Sequence, residues 1–392
     1  MASGSAAYEI AWVDTAAEVP ADLWARCFPP DIEGLWWYEA LEGSGLEDQF
    51  SFKYGVMSAG GGPVGVVPAF VMDVPIRLVA PDELLPLLNV VGRVFPALLH
   101  QRTLFVGSPC SDEGAVGLSA GLDRREAYRV INRSVQALAD RLKAPMRVWK
   151  DFPQGSAADL TALAQEDGLF PLVSFPGTVV HLAEATKKSY FDSLKSSRRN
   201  KLKKKLNSAL GAPLDVTVVE DPTPGELDEI FALFWQTYEK GETKFERLNR
   251  RFFELIAEKP EASFIIVRER EAGRMVAFML CFVLESRVIN KFIGIDYATP
   301  KDWFLYFRLW DAVVDLAVVK SATSIQSGQT AYAPKIEIGH ELEPLTNYVR
   351  HRNPLVHWIY KTVARTVNWD TLDDDLATFL KAYPDLRPQV GW

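Results

Sequence analysis

No apolar run in this 392-residue sequence reaches the roughly 20 residues that cross a bilayer; the longest, such as Met275–Leu284, has the length of a buried strand. The first seven residues lack a charged segment followed by an apolar one, so no secretion signal is visible. Cysteine is scarce: Cys27, Cys110 and Cys281 are far apart and odd in number, which fits reduced thiols in a cytoplasmic protein. There are five histidines, and His340, His351 and His357 form no pair with metal-ligand spacing, so no metal is expected. Gly-x-Ser-x-Gly is absent, Cys110 has no nearby histidine, and Cys281 lies inside an apolar strand. A covalent enzyme intermediate is therefore not expected. The net charge of −8 argues against a protein that coats DNA.

What is present points to a packed globular chain. Hydrophobic residues make up 48% and aromatics 11%, enough for two cores of ordinary size. In the second half, Thr186 can cap a helix to about Leu210, and a strand follows at 214–220. Thr223-Pro-Gly-Glu226 is a capping box with proline in the first helical position, which predicts a helix over 224–239. Runs at 263–269 and 275–285 read as a hairpin, and 288–297 as a further strand. Thr299-Pro-Lys-Asp302 resembles a second capping box, opening an amphipathic helix to about Lys320. A short strand at 323–328, a short helix or loop at 332–339, a strand at 342–350 and a helix from Pro354 complete this half.

The first half repeats the order: a hairpin at 50–57 and 64–72, a strand at 103–107, a helix at 124–142, a strand at 146–151, a helix at 157–166 and a strand at 170–182. One plan occurring twice, roughly two hundred residues apart, indicates two related domains. We place them at 1–177 and 178–392. The fold class expected is α/β in layers, each half a mixed, mostly antiparallel sheet flanked by helices. Pro81–His100 has no counterpart and reads as an insertion at an interdomain contact.

One charge block stands out against the acidic average. Lys195–Lys205 holds seven cations and no acid, the pattern of a solvated helix face or a polyanion contact. Phe191, Leu194, Leu202 and Leu206 form its apolar stripe, and Arg198 occupies the missing position. An inward arginine calls for a carboxylate, a carbonyl or a ligand phosphate.

Three segments carry a family likeness. Ser196-Ser-Arg-Arg-Asn-Lys-Leu-Lys-Lys-Lys205 is similar to the basic helix that opens the second domain of FemAB-type proteins. Ser327–His340 resembles the segment there in which a strand ends on glycine and a Lys…Gly turn leads to the last strands. Lys150-Asp-Phe152 is similar to the end of the penultimate strand of their first domain. With the order of elements, the chain resembles tandem GNAT acyltransferases of the FemAB-like branch. That resemblance implies an N-acyltransferase that moves an acyl group from acyl-CoA or an acyl carrier protein to a small-molecule or peptide amine, with no tightly bound cofactor. Its alternatives are an aminoacyl-tRNA-dependent peptide ligase and a non-catalytic binding protein. The glycine-bearing pyrophosphate loop of many GNATs is replaced here by Asp296-Tyr-Ala-Thr-Pro-Lys-Asp-Trp303, which puts ordinary CoA binding in question.

The candidate site residues follow from position. Asp296 sits where a strand hands over to a helix, and Tyr332 and His340 lie in a polar connection beside the sheet; these are the candidates for proton transfer. Arg198, Lys301, Gln329 and Lys335 are candidates for donor contacts. Trp303 and Tyr306 open the helix after Pro300 and could line an acyl pocket, although core packing explains their spacing equally well.

Overall fold

A computed structural model describes residues 8–75, 100–184, 186–241 and 247–388. Most of the suggested insertion, residues 81–99, lies outside the described residues. The strands are Glu9–Val13 (β1), Ser51–Ala59 (β2), Gly62–Pro75 (β3), His100–Val106 (β4), Gly117–Leu118 (β5), Met146–Pro153 (β6), Phe170–Val173 (β7), Gly177–His181 (β8), Leu214–Val219 (β9), Ala262–Glu269 (β10), Met275–Val283 (β11), Arg287–Ile295 (β12), Ser324–Gln326 (β13), Glu341–Glu343 (β14) and Leu345–His351 (β15). One sheet has the order β1-β2-β3-β4-β6-β15-β7, with β5 beside β3; the other has β14-β8-β13-β12-β11-β10-β9. Among the described residues only β4–β6 and β12–β13 pair in parallel. Two mixed, mostly antiparallel sheets flanked by helices are thus present, as the element order implies.

Two predicted strands are each cut in two. The stretch 170–182 divides into β7 and β8 around Pro176, and 342–350 divides into β14 and β15 at Pro344. Proline has no N–H to give to a ladder, so each chain leaves one sheet at that point and enters the other. β15 fills the place between β6 and β7, while β8 lies between β14 and β13. The compact units are consequently discontinuous: Met1–Pro29, Leu46–Pro176 and Pro344–Trp392 form unit 1, and Pro30–Gly45 with Gly177–Glu343 form unit 2. The chain passes between the units four times, after Pro29, Gly45, Pro176 and Glu343, where a division at 177/178 supposes a single passage.

In unit 2 the helix Leu305–Val319 lies on β10, β11 and β12 and buries Leu309, Trp310, Val313 and Val314. The helix Pro224–Lys240 packs on β11 and β12, and both bonds of its capping box form. Replacing Thr223 with Ala should cost about 1 kcal/mol, the usual value of such a cap, read as a lower urea midpoint with an unchanged slope. The single helix expected over 187–210 is instead two, Lys187–Ser193 and Ser196–Ala209, with Leu194 and Lys195 extended between them. The break turns Leu194 into the core beside Gly339, where φ is +99° and a Cβ would come within 2.3 Å of the Leu194 side chain. A tertiary contact, which helical periodicity does not encode, decides the break.

Among the described residues no helix is long and apolar enough to cross a membrane.

Candidate functional site

The site is built from the way β12 leaves its neighbours. Against β11, the pairs Cys281↔Asn290 and Leu280↔Phe292 leave Lys291 as an extra residue, a β-bulge. Bulges bend the strand that carries them and re-aim its side chains. Towards β13, only Arg287, Ile289 and the residue between them are paired, with Ser324–Gln326. Beyond Ile289 the two parallel strands diverge, and no strand among the described residues pairs with that edge of β12. Backbone N–H and C=O groups along such an edge are available to a ligand.

Polar side chains hold the mouth of this splay. Asn290 Nδ2 donates to Ser327 Oγ across the gap at 3.2 Å. His340 Nε2 lies 2.9 Å from the same hydroxyl, and its Nδ1 lies 3.2 Å from the Lys335 carbonyl. A carbonyl can only accept, so Nδ1 carries the proton and Nε2 accepts from Ser327. Burial, with the Lys335 charge nearby, pushes the His340 pKa down to about 3, so the ring is neutral at physiological pH. Lys335 Nζ donates to the carbonyls of Gly328 (2.9 Å) and Gln329 (3.2 Å), and Thr178 donates to the Ser327 carbonyl. Lys335 thereby fastens the diverging end of β13. Thr330 and Ala331 follow in left-handed conformation (φ 67° and 50°) and turn the chain into the helix Tyr332–Glu337, with Tyr332 fully buried and Gln329 half-buried. Non-glycine residues held this way cost of order 1 kcal/mol each and gather at functional sites.

The basic helix, the segment after Asp296 and the 327–340 connection converge here, whereas Lys150–Phe152 lies in β6 of unit 1. Lys205 of the basic helix bonds both Glu337 oxygens at 2.8 Å and lies 3.9 Å over the Phe307 ring. Trp310 donates to Tyr190 Oη at 2.7 Å and packs against the His340 ring, tilted by 53° with centroids 4.8 Å apart, and Tyr190 donates to the Ile338 carbonyl. Asp296 follows β12, but its carboxylate is held by Arg274 and by the Ala298 N–H at 2.9 Å. Although burial alone would raise its pKa, the bonds from Arg274 and Ala298 bring it below the ordinary carboxylate value. Thr299 does not cap the next helix; its hydroxyl donates to the Asp296 carbonyl at 2.7 Å. The helix starts after Phe304 (φ 47°) without a side-chain cap, following a 3-10 turn of Lys301–Trp303 in which Lys301 is exposed. Trp303 and Tyr306 lie half-buried against the unit 2 core, and burial raises the Tyr306 pKa. Arg198 is half-buried and makes no hydrogen bond or ion pair with any described residue, so of the partners an inward arginine calls for, neither carboxylate nor carbonyl is met among them.

Sequence reasoning missed two features. Ser327 was read only as part of a segment, yet its hydroxyl joins β12 to His340. Lys291 and Glu33 form an ion pair at 2.5 Å with side chains 1% and 4% exposed, and the ammonium lies 5.0 Å over the Trp37 ring. No spacing rule links residues so far apart; the signal lay only in a charge interrupting the apolar strand at 291. The thiol of Cys281 is buried and its pKa raised, so it stays protonated. A separate surface groove of about 610 Å³ lies along β9 and the helix Leu305–Val319; of its charged residues, Lys320, Glu220, Asp311 and Asp315 are engaged in Lys320–Glu220, Lys187–Asp311 and Lys187–Asp315 pairs, and Arg308 is not. It is not part of the splay.

Unit 1 contains the related parallel pair β4–β6, and there the gap is closed. Beyond Val106↔Trp149, the Gly114 N–H donates to the Asp151 carbonyl at 2.8 Å, and Lys150 Nζ reaches the Ser111 carbonyl at 3.3 Å. A Cβ on residue 114 would fall 1.9 Å from the Lys150 carbonyl oxygen. Gly114→Ala should therefore destabilise the chain by about 1–3 kcal/mol, as overpacking against immovable backbone does; an unchanged unfolding midpoint would mean that the loop does not fill the gap.

This arrangement, a sheet opened at a parallel pair with a helix following the bulged strand and the whole plan present twice, is that of a tandem GNAT-fold protein. The FemAB-like family model, described as peptidoglycan biosynthesis/recognition, matches residues 122–340. The chain belongs to the FemAB-like family. Among solved structures it is similar to FemX (12% identity, 90% of this chain and 100% of that one, TM-score 0.61). It is also similar to a tandem GNAT protein from the clavulanic acid biosynthesis pathway (13%, 89% and 99%, 0.51). A third likeness is to N-myristoyltransferase of Saccharomyces cerevisiae (10%, 87% and 80%, 0.50), which was solved with myristoyl-CoA bound. At these identities the structures show the shared fold. No curated protein matches the sequence. Family and fold together support acyl or aminoacyl transfer as the general activity.

Proposed function

We propose that this protein is an N-acyltransferase whose reaction takes place at the β12–β13 splay of unit 2, with unit 1 in a supporting role. The observation that carries the reading is the contrast between the two parallel pairs. In unit 1 the chain's own backbone occupies the gap, and in unit 2 no described strand pairs with the corresponding edge of β12, which lies beside a helix N-terminus without a side-chain cap. A donor carbonyl laid along that edge would meet backbone N–H groups, which stabilise the developing oxyanion. The acceptor amine attacks the carbonyl carbon, the bond to the carrier atom breaks, and the amine's proton leaves to that atom or to solvent. Asp296 and His340 serve the shape of the site in this reading: one is ionised and fully engaged, and the other is too weak a base at neutral pH. Tyr332 and Lys335 brace the loop behind them, while Gln329, Lys301, Trp303 and Tyr306 are assigned to contacts with the donor.

The carrier in the first reading is a thioester, acyl-CoA or an acyl carrier protein. Aminoacyl-tRNA is the second, favoured by the family match and by the cationic helix Ser196–Ala209. Incubation with acyl-CoAs or charged tRNA and a panel of amines, read by mass spectrometry of the product, distinguishes the two; amide formation with neither donor would overturn the proposal. Arg198 is assigned to a donor phosphate. Arg198→Ala should raise the donor KM roughly tenfold with an unchanged melting temperature, and an unaltered KM would remove Arg198 from the site.

A further inference from the structure

The helix Pro354–Ala364 of unit 1 has two apolar faces. One packs on β7 and β15 through Tyr360 and Ala364, with the His357 ring 5.1 Å from Phe170. The other carries Leu355, Trp358 and Ile359 at helical spacing, and these are 65%, 63% and 41% exposed. Isolated exposed apolar residues are ordinary, but a tryptophan, a leucine and an isoleucine on one stripe form a patch.

The charge along the stretch of chain that carries this patch is of one sign. Between Glu343 and Asp370 the chain has no acidic residue, although 51 of its residues are Asp or Glu, and the same stretch holds Arg350, Arg352, Lys361 and Arg365. At 3.6 residues per turn, Lys361 and Arg365 run along one edge of the exposed stripe. Arg350 is turned inward to the Gly168 carbonyl, and Arg352 has only a loose pair with Asp140 at 3.8 Å. A stripe with tryptophan, rimmed by cations, matches the interfacial zone of an anionic bilayer, where indole rings settle at headgroup level and cations meet lipid phosphate. A second copy of the chain fits poorly. A two-fold contact would set cationic rim against cationic rim.

We propose that the helix Pro354–Ala364 docks this protein on anionic membrane surfaces, lying in the headgroup region without crossing it. The proposal does not depend on the transfer reaction. It is tested by flotation of the full chain with phosphatidylcholine vesicles, with and without an equal part of phosphatidylglycerol. The protein should rise with the anionic vesicles, at least about tenfold more than with neutral ones, and high salt should weaken the effect. Leu355→Ser with Trp358→Ser should lower binding about tenfold with unchanged circular dichroism, and Lys361→Glu with Arg365→Glu should remove the preference for anionic lipid. Absence of flotation, or equal flotation of the Ser variant, overturns the proposal. So does a wild-type dimer on gel filtration that the Ser variant converts to monomer, because the face would then belong to a second copy.

Discussion

Replacing Lys291 with Met should lower the stability of the protein by about 3–5 kcal/mol, the usual cost of leaving one member of a buried ion pair behind. The pair joins Glu33, in a segment from the start of the chain, to the bulge that turns β12 away from β13. Both side chains are almost fully enclosed, and Trp37 covers the ammonium. Once Lys291 is gone, the Glu33 carboxylate is a buried charge that has lost its closest cation. The loss should appear as a lower midpoint in denaturant. Adding Glu33→Leu should restore most of it, because the pair as a whole contributes far less than either half left alone. A double variant as unstable as the single one would show that Lys291 acts by some other contact. The double variant has a second use: it is stable yet lacks the clamp on the bulge. Transfer activity that stays low in it would assign the pair to positioning the strand, since small displacements at a reacting centre cost on the order of 100-fold.

The second large effect depends on pH. The folded protein holds His340 neutral down to about pH 3, whereas an exposed histidine takes up its proton near 6.5. Above that value neither state binds the extra proton, and the histidine adds no pH dependence. As pH falls from about 6.5 towards 3, the unfolded chain gains a proton that the folded chain refuses, so folding stability declines. The total approaches an order of 4 kcal/mol at the lower end. His340→Gln, with an amide that can still meet Ser327, should remove this share of the acid sensitivity while the carboxylates contribute equally in both proteins. Urea titrations of the two from pH 7 to 3.5 should diverge with falling pH, wild type losing more. Parallel curves would place His340 in contact with solvent. His351 and His357 are also depressed, His357 to about 4, by burial and by the nearby cations, and their effect remains in both proteins.

Much of the fold was legible before its geometry. The capping box at Thr223, the β10–β11 hairpin and the helix after Pro354 follow local rules: a side chain that satisfies its own backbone, a tight turn, and a fixed φ at the first helical position. The basic helix, the Pro300 segment and the 327–340 connection were each picked out by composition, and the structure brings them together around Trp310. What each residue does there was not legible. Asp296 stood in the right place for a base, but Arg274 engages it. Lys335 had the chemistry of a ligand-binding cation, yet it holds two backbone carbonyls of the diverging strand. Thr299 matched a capping pattern, but its hydroxyl bonds backward to Asp296.

The sequence alone determined the kind and order of the elements it marked, and the absence of a long apolar run, because periodicity and capping act within a few residues along the chain. The tertiary structure decided which sheet each strand joined at Pro176 and Pro344, which parallel gap was filled and which left open, and that Lys291 would meet Glu33. Those outcomes depend on which strand edge is free and which charge lacks a counter-ion once the chain is packed, and such partners come from distant points of the sequence.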